Sequence, residues 1–171
     1  MPDVIQPTYH LQDVTQAVWQ LLVDSAADLG INANADGIYD VFYGDQQNIP
    51  RTPAICVESG PMRRDPHGAS APYPQMLNRF NVIVMVYLYN LSGSNQVLNL
   101  DKDLLLDQVQ DVLHADFHLS GQPGTPIPGL VTWSHCESID PGYTSRGGIL
   151  MRCGRISWVA ENRSFLLNQP S

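Results

Sequence analysis

At 171 residues, the chain has the length of one ordinary domain. Its 43% hydrophobic against 15% charged content provides enough apolar side chains for a real core and excludes a disordered chain. A formal net charge of −8 repels phosphate backbones at long range, which argues against a general nucleic-acid binder. No apolar run approaches the roughly 18 residues that a membrane span requires.

The opening Met1-Pro2-Asp3-Val4 has neither the basic start nor the apolar run of a leader, so a soluble chain made without export is expected. Cys56, Cys136 and Cys153 are widely spaced with no C-x-x-C, which fits buried free thiols in a reducing cytoplasm better than a disulfide framework. Thirteen Gly and thirteen Pro occur in clusters, the pattern of shaped loops between regular elements.

Leu11, Val14, Val18, Leu21, Leu22, Ser25 and Leu29 recur at helical spacing. With Asp13 and Gln16 resembling a capping box and Gly30 as a stop, they predict a helix over 13–29. Its polar face has no Lys or Arg, so it is a helix lying on a core, not on a membrane surface. Short strands are predicted over 38–43 and 54–58. Residues 60–76 contain Pro61, Pro66, Gly68, Pro72 and Pro74 together with Arg63 and Arg64, and read as a long irregular interaction arm.

The strongest strand pattern spans 77–89. Phe80, Val82, Val84, Val86 and Leu88 form a uniformly apolar core face. The opposite face, Asn81, Ile83, Met85, Tyr87 and Tyr89, is also largely apolar, so either the domain itself or another subunit must cover it. A second amphipathic helix is predicted over 100–117, capped by Asn99 or Asp101. The Pro-rich stretch 121–129 breaks the chain before two last strands, 130–138 and 148–161, joined through Asp140-Pro141-Gly142-Tyr143.

This order predicts an α+β fold: a mostly antiparallel sheet of four to five strands with both helices packed on one face. A single domain spans 1–171, with its core over 11–161 and a loose tail over 162–171.

Chemistry-bearing patterns are sparse. There is no phosphate-binding loop and no G-x-S-x-G elbow. His114 and His118 share a helix face with Asp111 and Asp116 nearby, a spacing that suits a metal, but helix C-termini also favour His for their own sake. His135 and Cys136 are strand neighbours and point to opposite faces, so they cannot pair directly. A metal or small-ligand domain built on these histidines is the enzyme-class alternative; no cofactor is expected.

Three segments occur in order between the first helix and the second: Val41-Phe42-Tyr43-Gly44-Asp45, Pro53-Ala54-Ile55-Cys56-Val57-Glu58, and, after the arm, Asn78-Arg79-Phe80-Asn81-Val82-Ile83-Val84. A closing hairpin follows the second helix. This arrangement over residues 11–161 resembles the tail terminator, or tail-completion, proteins of tailed bacteriophages and related head–tail joining neck proteins.

The resemblance implies a non-enzymatic virion subunit forming a ring, usually a hexamer, that caps the tail tube and meets the neck or connector proteins. DNA would pass through the lumen, and assembly would take place in the host cytoplasm. Another head–tail connector or head-completion component is the alternative within the same class. Arg63, Arg64, Tyr73 and Met76 of the arm, and Met85, Tyr87 and Tyr89 of the long strand, are the expected interface residues.

Overall fold

The computed structural model describes residues 11–67, 75–89, 95–124 and 129–165. Helix α1, Leu11–Asp24, buries Val14, Thr15, Val18, Leu21 and Leu22 along one stripe. The regular helix stops short of the predicted end, but tight turns carry the chain on to Gly30, keeping Ala26 and Leu29 buried. Gly30 has φ +68, its N–H donates to the carbonyl of Ala27, and the N–H of Ile31 donates to that of Ala26. Glycine is favoured there because a side chain strains that backbone conformation.

The sheet contains β1 (Val41–Tyr43), β2 (Ala54–His67), β3 (Gln75–Leu88), β4 (Trp133–Arg146) and β5 (Ile149–Phe165) in the spatial order β1-β2-β3-β5-β4. Only the short β1 runs parallel to its neighbour; all other pairs are antiparallel. Helix α2, Asn95–Ala115, lies on the same face as α1. The fold is therefore the expected α+β arrangement, with both helices on one side of a mostly antiparallel sheet. Val82, Val84 and Val86 of β3 and Ile156 and Trp158 of β5 pack with the helices in one cluster.

Four predicted boundaries are corrected. Residues 60–76 are not an irregular arm throughout: β2 continues to His67 and β3 begins at Gln75, so most of the segment is a long hairpin. Pro61 and Pro66 are tolerated because β1 pairs β2 only as far as Val57, which leaves the rest of β2 as an edge that needs no N–H on that side. The register shifts between Ser59 and Met62, where Asn81 donates to the carbonyl of Pro61 at 2.8 Å.

Asp140-Pro141-Gly142-Tyr143 is not a turn, because β4 runs straight through it on the outer edge of the sheet. The reversal comes at Gly147-Gly148, both with positive φ, as a two-residue hairpin loop favours. The expected tail is strand as far as Phe165, held in register by β3, and 166–171 lie outside the described residues. Helix α2 also begins before the predicted Asn99 or Asp101 caps.

The far end of α2 is closed by a buried carboxylate. Asp116 accepts hydrogen bonds from the Ser120 hydroxyl at 2.7 Å, from Ser120 N at 2.9 Å and from Gly121 N at 2.8 Å. The chain then returns so closely under α2 that a Cβ on Gly129 would lie 2.1 Å from the His118 carbonyl oxygen.

Helix α2 is seated on β5 at Gly154, where an added Cβ would fall 2.5 Å from both methyls of Leu106 and 2.9 Å from its Cγ. Leu106 is itself buried and has nowhere to swing. Gly154→Val should therefore overpack the helix–sheet contact and cost about 1–3 kcal/mol. A urea unfolding midpoint unchanged from the wild type would contradict this seating.

Candidate functional site

Side chains alternate across β3 and β5, so the residues between the core positions face away from both helices. On β3 these are Arg79, Asn81, Ile83, Met85 and Tyr87; on β5 they are Met151, Cys153, Arg155, Ser157, Val159 and Glu161. This open face has three zones along the strands.

The first zone is covered from within. The β1–β2 loop folds over it and buries Ile49 among Ala54, Cys56, Tyr87, Met151 and Cys153. Thr52 donates to the carbonyl of Tyr89 at 2.9 Å and accepts from Tyr89 N at 3.0 Å. Arg146, at the end of β4, reaches Asp45 at 2.8 Å and donates to the Tyr87 hydroxyl at 3.0 Å.

Tyr87 is consequently fully buried, and it is withdrawn from the expected interface residues: a side chain roofed by its own loop has no surface to offer a partner. Burial pushes its phenol up to about 12 despite the hydrogen bond from Arg146. Tyr89 is half-buried beside the same loop.

In the middle zone Met85 still packs against the edge of the roofed cluster, and among the described residues the loop does not continue over Ile83. Ile83 and Met85 are half-buried, with Arg155 and Asp140 exposed on the neighbouring strands.

The third zone leads into the arm. Arg79 pairs with Glu137 at 2.7 Å and approaches Glu161 at 3.9 Å. The Trp133 indole N–H donates to Glu161 at 2.8 Å, and its ring stacks on His135 at 4.3 Å and 7°. Beyond Phe80 and Ala160, the strands β2, β3 and β5 continue together as a three-stranded ribbon. Arg63 and Arg64 are exposed on it and Met76 is half-buried, while Tyr73 lies outside the described residues.

No described strand pairs the outer edge of β2 over residues 58–67, and β4 accompanies β5 only as far as Glu161. Such edges present free N–H and C=O groups to whatever approaches.

The expected chemical candidates are engaged elsewhere. His114 packs edge-on against Trp158 at 4.9 Å, and His118 lies against Phe117 at 4.0 Å. Among the described residues, no three His, Cys, Asp or Glu side chains are grouped to hold a metal. Cys136 faces the helices, one residue before a strand irregularity, and donates to the carbonyl of Ser138. Burial raises Cys56 to about 11 and also raises Cys153 and Cys136, so these thiols stay protonated and poorly nucleophilic at neutral pH.

Arg79, Trp133, Glu137 and Glu161 escaped the sequence reading because three different strands bring them together. Only strand register reveals the cluster. No protein-family model matches the chain, and no curated protein matches it.

The roofed zone has a pH signature. Cys56 and Tyr87 are neutral when protonated, and both hold their protons more tightly folded than unfolded. Their contribution is complete below the ordinary values of 9.0 and 10.0 and is lost as pH rises towards about 11 and about 12. Urea midpoints should therefore fall above pH 9, and Tyr87→Phe should lessen the fall above pH 10. Equal slopes for variant and wild type would contradict the roofed tyrosine.

Proposed function

We propose that this chain is a structural virion subunit, not an enzyme. In this reading it closes into a ring, most naturally a hexamer, that caps a phage tail tube and joins it to the neck or connector, with DNA passing through the lumen. The observation that carries the proposal is the three-stranded arm. It extends beyond the helix-covered core, leaves strand edges unpaired among the described residues and adjoins the half-buried Ile83 and Met85.

A lone subunit gains little by ordering such a ribbon, whereas a neighbour in a ring would bury it and complete its edges. The acidic balance of −8 suits a wall that repels DNA and lets it slide. Partners on this account are further copies of the chain, the tail tube protein and the neck or head-completion protein. Its place is the virion, after assembly in the host cytoplasm.

Light scattering and electron microscopy of the purified protein, alone and with tube protein, test this reading. A ring near six copies that halts tube growth is expected. A monomer that neither binds tube ends nor alters tube length would reject it. Met85→Glu should leave the far-ultraviolet spectrum intact and abolish ring formation, because a charge would be buried unpaired in the subunit contact. Normal rings from Met85→Glu would remove the open face from the interface.

A further inference from the structure

The arm concentrates positive charge in an acidic protein. Of nine Lys and Arg side chains in the sequence, four lie on it: Arg63, Arg64, Arg79 and Arg163. Arg63 pairs across the strands with Arg79, a like-charge juxtaposition that costs stability, and Glu137 and Glu161 relieve only Arg79. Among the described residues, the exposed Arg63, Arg64 and Arg163 make no ion pair. Half-buried Leu77 and the exposed Asp65 opposite it sit on the same face as Arg63, Arg79 and Arg163, whereas Arg64, opposite Asn78, points to the other face.

Helix α2 carries the complementary pattern on its outer side. Asp103, Asp107 and Asp111 are exposed and recur every four residues, a self-repelling stripe that weakens an isolated helix. Lys102 offsets Asp103 at 3.0 Å; Asp107 and Asp111 have no ion pair among the described residues. Beside this stripe, Leu100 and Leu104 are 63% and 58% exposed. Acid and aliphatic side chains on the helix thus match Arg and aliphatic side chains on the arm, yet among the described residues no ion pair joins them within the chain.

We propose that the arm of one copy docks on the outer face of α2 of the next copy, with Arg63 and Arg163 set against Asp107 and Asp111 and Leu77 near Leu104. The occupant is a second copy of this chain, because each molecule carries one of each surface and a head-to-tail contact satisfies both at once. This inference rests on the ring reading above and names the contact that closes the ring.

Reciprocal charge reversal tests it. Arg63→Glu with Arg163→Glu, or Asp107→Lys with Asp111→Lys, should each raise the concentration needed for assembly at least tenfold by light scattering. Mixing the two variants should restore assembly, since each reversed arm meets a reversed helix on its neighbour.

The milder pair Arg63→Gln with Arg163→Gln, checked for an unchanged urea midpoint, separates lost contact from lost folding. It should weaken assembly less than the Glu pair does. Assembly unaffected by reversal, or reversed variants that fail to complement on mixing, would overturn the arm–helix contact while leaving the ring reading intact. A wild type that stays monomeric at every concentration, without or with tube protein, would overturn both. Complementing variants that never cap a tube would uphold the contact and reject the terminator role.

Discussion

Both helices cover one face of the five-stranded sheet, and among the described residues the other face has only a loop to shield it. A sheet this long cannot leave a mostly apolar second face to water without consequence. The β1–β2 loop covers one end, fastened by Thr52 to β3 and by the Asp45–Arg146 pair to the tip of the last hairpin. Past Tyr87 the loop gives out, and the exposed ends of β2, β3 and β5 extend beyond any helix. The proposed assembly role starts from this asymmetry.

The same asymmetry explains which residues matter on each side. On the covered face, tight approaches hold the layers together: Leu106 over Gly154, and the chain passing beneath the end of α2 at Gly129. There a neighbour stands where any added atom would go. On the open face, the organised features are polar and cross-strand, with Arg79 held between two glutamates and Trp133 tied to one of them. Exposed ion pairs of that kind contribute little to folding. Their effect is to fix the orientation of side chains at the root of the arm.

Much of the fold could be read from periodicity, because the two helices and the long strand each bury a clean apolar stripe. The two-sided character of β3 was also legible, although the pattern could not divide its second face into a roofed part at Tyr87 and, among the described residues, an unroofed part at Ile83. The covered part depends on Ile49 and Arg146, which are remote in sequence from β3, and Met85 packs only at its edge. Proline misled the reading twice. Pro61, Pro66 and Pro141 look like breaks, but each sits in an edge segment where a missing N–H is tolerated, and edge position is a property of the assembled sheet. The histidines and cysteines take packing positions: His114 lies edge-on to Trp158, and Cys56 is buried under the loop.

The central claim is that the arm, with the outer edge of β2, is buried against a neighbour. Amide hydrogen exchange across residues 58–67, compared between dilute and concentrated protein, tests it most directly. The account predicts rapid exchange when dilute and strong protection when concentrated, while the amides of Val82, Val84 and Val86 in the core remain protected throughout. Equal, rapid exchange along that edge at both concentrations, in a preparation shown to be oligomeric, would contradict it.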